Sequence, residues 1–186
     1  TLLASSDIPV LTTERGEPDF LNLAKGIGNR LTDFLFADRI HLLFEGYKSS
    51  LGRELGEKVR VIASPIPTPG EPFAAPSKPD NDGRYKICFC GRIDYEKDVY
   101  TLINAFDLIH QKYPDWDLEI VGAGPLLEAT QSFVSNKLGQ RVHFTGQATP
   151  EEVVESYRSA NIFAFPSLTE GCPLALREAM SYKLPV

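Results

Sequence analysis

The sequence predicts an α/β protein whose main sheet is parallel and flanked by helices. Two observations predict it. Short apolar strands alternate with amphipathic helices four times in about a hundred residues, which is the pattern of βα units. A proline-dense stretch separates this regular part from a weaker α/β part before it. Three segments follow: 1–64 as the tail of one α/β domain with its opening strands absent, 65–84 as a linker, and 85–186 as a second, incomplete domain.

In the first segment, 8–11, 39–44 and 59–62 read as strands. Residues 20–36 and 47–55 read as helices. Six of the fourteen prolines then fall at Pro65, Pro67, Pro69, Pro72, Pro76 and Pro79, followed by Asp80-Asn81-Asp82-Gly83. Such density excludes a central strand or a helix interior.

After the linker, 85–90 is an apolar strand ending at Gly91-Arg92. Residues 99–113 form a helix with Leu102, Ile103, Phe106 and Ile109 on one face, closed by Pro114. Residues 118–121 are a strand, and Gly122-Ala123-Gly124 turns it into a helix opening at Pro125 and stopping at Gly139. Residues 142–145 are the third strand. Thr149-Pro150-Glu151-Glu152 is a capping box with proline at N1, opening a helix to about Ala160. Residues 162–165 are the fourth strand, and a helix runs from Pro173 to about Tyr182. Leu184-Pro185-Val186 begins a fifth strand.

Composition narrows the function. The 186 residues are 42% hydrophobic and 24% charged, which excludes a disordered or fibrous chain. The net charge of −6 is spread over both halves, so neither is a nucleic-acid arm or a polybasic membrane patch. Three cysteines are no disulfide framework and point to a reducing compartment. No apolar run approaches the roughly 20 residues of a membrane span.

In an open parallel sheet, ligands bind beyond the carboxyl ends of the strands. Gly91, Arg92 and Lys97 stand there after the first strand, Gly122 and Gly124 after the second, and Gly146 after the third. Ser167, Glu170 and Gly171 follow the fourth, with Glu178 inside the next helix. Arg92 and Lys97 suit an anion, since arginine forks onto phosphate and lysine adds a compact charge. They equally suit a plain exposed turn. Glu178 lies about five residues into its helix, roughly 7.5 Å along the axis at ~1.5 Å per residue. Glu170 precedes that helix, so an anion-favouring N-terminus falls between two carboxylates. A nucleotide diphospho-sugar has the matching shape: a diphosphate between two hydroxyl-bearing rings. The competing reading makes Glu170 a cap and Glu178 the partner of a neighbouring charge.

Other patterns carry less. Asp115-Trp116-Asp117 matches a metal signature but lies at the opposite edge, where the two Asp read as turn residues and Trp116 as packing. In Gly122-Ala123-Gly124, Leu127 takes the third glycine position of a dinucleotide fingerprint. Cys88 and Cys90 alternate along a buried strand as packing residues. Cys172 is a candidate reactive thiol with no histidine near it in sequence. His41, His110 and His143 lack metal-ligand spacing.

Taken together, the second segment resembles the donor-binding domain of the GT-B glycosyltransferases, and within them the retaining family 4 (glycosyl transferases group 1). The matching residues are Gly91-Arg92, Glu96-Lys97, Ile120-Val121-Gly122-Ala123-Gly124-Pro125 and Val142-His143-Phe144-Thr145-Gly146. Phe165-Pro166-Ser167-Leu168-Thr169-Glu170-Gly171, Arg177-Glu178-Ala179-Met180 and Leu184-Pro185-Val186 complete the set. Ala37-Asp38-Arg39-Ile40 and Val61-Ile62 resemble the end of the family's acceptor domain.

The resemblance implies a GT-B, Rossmann-like fold, here truncated at both ends. It implies a hexosyltransferase-like activity in the intact protein, moving a sugar from a nucleotide-diphosphate sugar to a saccharide or lipid-linked acceptor with retention of configuration. The implied setting is polysaccharide or glycolipid assembly in the cytoplasm or at the inner membrane face. The donor enters as substrate, a uridine diphosphate (UDP) sugar first and a guanosine diphosphate (GDP) sugar second, with neither cofactor nor metal. Glu170, Arg92 and Lys97 take the catalytic roles, the two cations on the diphosphate and Glu170 on the transferred sugar. Glu178 takes the ribose hydroxyls. Gly91, Gly171, Cys172, Leu174 and Ala175 border sugar and phosphate, and Gly146 and Gln147 border the base. By itself this chain would hold most of a donor site and almost no acceptor site, and so would not transfer sugar at a normal rate. A nucleotide-sugar epimerase, a sugar phosphorylase and a non-catalytic nucleotide-binding module are the competing classes.

Three departures from the family stand out. Asp98 and Lys183 occupy positions where members usually or often have glycine. Pro173 has no N–H to offer a phosphate.

Overall fold

The computed structural model describes residues 9–14, 33–66, 79, 82–134 and 138–186. By contacts the chain divides into two units, 1–65 with 170–172 and 66–169 with 173–186. The break at 65/66 falls at the start of the expected linker, most of which lies outside the described residues.

The first unit carries a three-stranded parallel sheet in the order β1-β2-β3: Leu11–Glu14, Arg39–Leu42 and Val59–Val61. The expected strand at 8–11 begins later, and Ile8 lies outside the described residues. Of the helix expected at 20–36, only 33–36 is described, and it is helical. The single helix expected at 47–55 is two pieces, a 3₁₀ segment Glu45–Leu51 and helix α1, Gly52–Lys58. Gly52 stands between them at φ 68, a left-handed geometry that glycine adopts without strain. Phe34, Ile40, Leu42, Leu55 and Val59 form this unit's core.

The second unit is a four-stranded, all-parallel sheet in the order β6-β5-β4-β7. Strand β4 is Tyr85–Cys90, β5 Trp116–Val121, β6 Val142–Gly146 and β7 Ile162–Phe163. Apolar clusters pack on both faces of its central strands. On one face Phe89, Leu118 and Ile120 pack against Ile103 and Phe106; on the other Cys88, Val121 and Phe163 pack against Tyr157 and Ala179. Complete burial of each large side chain contributes about 1.5–3 kcal/mol.

Helix α2, Val99–Ile109, buries Val99, Ile103 and Phe106 at helical spacing. It stops four residues short of 113, and Ile109, expected on the inner face, is 41% exposed. Helix α3 is Leu127–Phe133, beginning later than Pro125, and 135–137 lie outside the described residues. Helix α4, Pro150–Ser159, opens with the expected capping box: Thr149 Oγ1 accepts the Glu152 N–H at 3.3 Å, and Glu152 Oε2 accepts the Thr149 N–H at 2.7 Å. Such a cap stabilises by about 1 kcal/mol. Helix α5 is Leu174–Ser181. Strand β7 is two residues rather than four, and 184–186 form no assigned strand, though the Phe163 N–H donates to Pro185 O at 2.8 Å.

One expectation fails at the amino ends of the strands. Asp117 is no turn residue; it lies in β5 and accepts hydrogen bonds from both Arg84 and Arg141. Burial alone would raise its carboxyl, but the two guanidiniums outweigh this and hold it below the usual range. Trp116 is also in β5, stacked on Tyr85 with ring centres 4.9 Å apart.

Candidate functional site

The carboxyl ends of β4, β5 and β6 are joined turn to turn by backbone bonds. Ile93 N–H donates to Ala123 O at 3.0 Å, Leu126 N–H to Ile93 O at 3.1 Å, and Gly122 N–H to Gly146 O at 2.9 Å. The glycines make this approach sterically feasible. A Cβ on Gly124 would stand 2.7 Å from the Ile93 nitrogen and closer still to its carbonyl oxygen. The Gly122-x-Gly124 pair therefore serves turn packing.

The turn after β4 is organised by Asp94. Its Oδ1 accepts the Lys97 N–H at 3.1 Å, and its Oδ2 lies 3.2 Å from Arg92 Nε. Arg92 is exposed, its side chain 69% accessible. The Lys97 ammonium stands 5.8 Å from the centre of the Phe165 ring, a cation–π contact with the segment after β7. That segment is also tied by backbone, since Leu168 N–H donates to Glu96 O at 2.8 Å. The two expected cations thus share one turn, linked to the chain leading toward α5.

Asp98 caps α2. Its carboxylate accepts from Thr101 Oγ1 at 2.7 Å and from the Thr101 N–H at 3.4 Å, with its backbone at φ 44. The carboxylate near the expected phosphate position is therefore engaged by its own helix.

Pro173 takes the N-cap position of α5 in an extended conformation. The bond from Arg177 N–H to Pro173 O opens the helix, which leaves the N–H groups of Leu174 and Ala175 without intrahelical acceptors. Glu178, partly buried, accepts the Tyr157 hydroxyl on Oε2 at 3.0 Å. Its partner is a phenol, not the neighbouring charge that the competing reading supposed. Burial pushes the Tyr157 phenol far up, and Cys90 and Glu178 push it further, so the hydroxyl stays a donor. Burial likewise raises the Cys90 thiol, at the carboxyl end of β4.

Gly146 ends β6 at φ 73 with open space beside it, and Gln147 is exposed. Gly91, Arg92, Lys97, Gly146, Gln147, Leu174, Ala175 and Glu178 all lie in the second unit. Glu170, Gly171 and Cys172 group with the first. Ser167 Oγ is shielded from solvent with no hydrogen-bond partner among the described residues.

Asp94 and Tyr157 are site neighbours that the sequence did not single out. Asp94 has a weak signal, an aspartate three residues before the N–H it caps. Tyr157 has none, because its partner is 21 residues away on another helix. Among the described residues no three His, Cys, Asp or Glu side chains are grouped to hold a metal ion, and no helix is long and apolar enough to cross a membrane.

A parallel sheet flanked by helices is the arrangement this chain shares with GT-B glycosyltransferases. The profile of the family "glycosyl transferases group 1" matches residues 84–186, more than half of the chain, and the chain belongs to that family. An uncharacterized glycosyltransferase of Haemophilus influenzae is 33% identical over 101 residues, 54% of this chain and 28% of that protein. The lipopolysaccharide 1,6-galactosyltransferase of Salmonella typhimurium is 34% identical over 111 residues, 58% of this chain and 30% of that protein. TarM of S. aureus, solved in complex with fondaparinux, α-GlcNAc-glycerol and UDP, superposes with a TM-score of 0.67 at 18% identity. That match covers 81% of this chain and 29% of TarM, and it shows the shared fold. The chain spans about a quarter of the length of the first of these curated relatives.

Proposed function

We propose that this chain supplies the donor half of a retaining glycosyltransferase that moves a sugar from a nucleotide-diphosphate sugar to a saccharide or lipid-linked acceptor. The observation that carries this is the tie between the two βα loops of the second unit. Leu168 N–H on Glu96 O and Lys97 over Phe165 hold the cation-bearing turn to the segment that leads into α5.

The chemistry follows from charge. As the glycosidic bond breaks, the leaving nucleoside diphosphate gains negative charge. Arg92 and Lys97 stabilise that charge, and the free N–H groups of Leu174 and Ala175 add the dipole of a helix start. Because the turn is fixed beforehand by Asp94, little reorganisation is needed as charge develops. Glu178 accepts the ribose hydroxyls, Glu170 contacts the transferred sugar, and Gly171 and Cys172 border it. Gly146 and Gln147 border the base, with UDP favoured and GDP the alternative. The galactosyltransferase among the relatives supports sugar transfer, and the UDP held by TarM fits a nucleotide donor. Polysaccharide or glycolipid assembly at the cytoplasmic membrane face is the corresponding setting.

Calorimetric titration with UDP, GDP and adenosine diphosphate, with a chelator present, tests this. One nucleotide is expected to bind, and Arg92→Ala to weaken it at least about tenfold, the effect of one charged hydrogen bond. Absence of binding by folded full-length protein would refute the donor site.

A further inference from the structure

We infer that Tyr157 is a positioning residue, whose hydroxyl fixes the Glu178 carboxylate so that its other oxygen meets the vicinal hydroxyls of the donor's ribose. This rests on the donor-site reading above. Tyr157 comes from α4 and Glu178 from α5, so the bond crosses between two helices that pack on one sheet face.

The Tyr157 ring is 1% exposed and is held on two sides. Tyr182 stacks on it at 5.6 Å, and Phe163 meets it edge-on at 5.8 Å. The hydroxyl therefore has a fixed position, 3.0 Å from Glu178 Oε2 and 3.5 Å from Ala175 O. A glutamate on a helix surface samples many rotamers, and ordering it on binding costs side-chain entropy. A buried donor orders it in advance. One phenol occupies one acceptor position, while a carboxylate offers about four, so Oε1 keeps its full capacity. Two hydroxyls of a ribose need acceptors, and Oε1 with its two lone pairs supplies them. The phenol also stays protonated, so it never presents a repelling charge to the carboxylate.

A purely structural role would have the hydroxyl satisfy itself on the nearest acceptor, with no consequence for ribose. The two roles separate in ligand selectivity. UDP and 2′,3′-dideoxy-UDP are titrated into the full-length protein, its Tyr157→Phe variant and its Glu178→Gln variant; if GDP binds tighter, the guanosine pair is used. The wild-type protein is expected to prefer the ribose form about tenfold. Both variants should lose most of that preference, and Tyr157→Phe, which alters no charge, should leave affinity for the dideoxy form unchanged. A 4-aminophenylalanine and 4-methylphenylalanine pair at position 157 repeats the comparison should the Phe variant not fold; the amino form is expected to keep the preference and the methyl form to lose it. An undiminished preference in Tyr157→Phe, or equal weakening of both nucleotides, overturns the assignment of Tyr157 alone. A wild-type protein that binds neither nucleotide overturns the donor-site reading and this inference together; one that binds both equally overturns the ribose contact of Glu178, and this inference with it, and leaves the donor site standing.

Discussion

Gly122 lies against the backbone of Gly91 so closely that a Cβ on Gly122 would stand 2.9 Å from the Gly91 carbonyl carbon and closer still to its oxygen. The obstacle is main chain, which cannot rotate away as a side chain can. Gly122 also sits at φ 134, outside the range that L side chains adopt readily. Two turns of the rim therefore meet at a point where only glycine fits.

Gly122→Ala is thus expected to destabilise the protein by at least ~2 kcal/mol, combining backbone strain with overpacking. It should also displace the Gly91–Arg92 turn and weaken nucleotide binding. Urea denaturation and calorimetry check the two effects. A variant with unaltered stability would mean that the two turns do not approach as described.

Much of this was legible in the sequence, for physical reasons that differ by element. Strand Tyr85–Cys90 and the Thr149 cap are local patterns, written in consecutive residues, and both appear as read. Helix ends are set by tertiary context, so α2 stops at Ile109 although the apolar pattern favours going on. Asp117 was misread because its two arginines come from positions far along the chain, Arg84 and Arg141. Arg92 and Lys97 stand out in the sequence because they share one short turn; Asp94, which organises that turn, does not, because an aspartate in a turn is common. Glu178 stands out by its place on a helix, whereas its partner Tyr157 reads in sequence as one more core aromatic.

The departures at Asp98 and Lys183 coincide with backbone geometry. These are the non-glycine residues at positive φ among the described residues, at 44° and 58°. Both positions thus demand what glycine supplies. Lys183 is exposed and follows α5, so its left-handed conformation is offset only weakly by the helix dipole. Lys183→Gly should therefore stabilise by about 0.5 kcal/mol, relief of roughly 1 kcal/mol of strain exceeding the chain entropy that glycine adds. Asp98→Gly should be close to neutral, because the lost cap offsets the relieved strain. Asp98→Ala loses the cap and keeps the strain, a cost of about 1 kcal/mol. Thermal melts of the three variants give the order directly. A destabilised Lys183→Gly would contradict the strain.

Asp94 offers a separation of charge from shape. Asp94→Asn keeps an oxygen for the Lys97 N–H but removes the ion pair to Arg92. The Arg92 end of that pair is exposed to solvent, so the pair is worth under ~1 kcal/mol and stability should barely change. With one negative charge gone beside two cations, nucleoside diphosphate affinity should rise about two- to threefold at low salt and less at high salt. Asp94→Ala removes the turn's anchor as well and should weaken binding. Equal losses in both variants would mean that the charge on Asp94, rather than the turn it shapes, is what binding needs.

The Asp117 cluster predicts an acid limb of stability. Its carboxyl lies below the usual value in the folded protein, despite burial, because Arg84 and Arg141 hydrogen-bond its charged form. A depressed folded pKa gives stability that is complete above the unfolded value of about 3.9 and is lost as pH falls through the folded one. The window is thus below about pH 4. Asp117→Asn cannot titrate there and removes the carboxylate that Arg84 and Arg141 share. Its stability at pH 7 should fall by about 2 kcal/mol, and the drop between pH 4 and pH 2 should become shallower than in the wild type. Urea midpoints measured from pH 7 to pH 2 check both features. An acid limb of the same depth in Asp117→Asn would assign it to other carboxylates and leave Asp117 with a packing role.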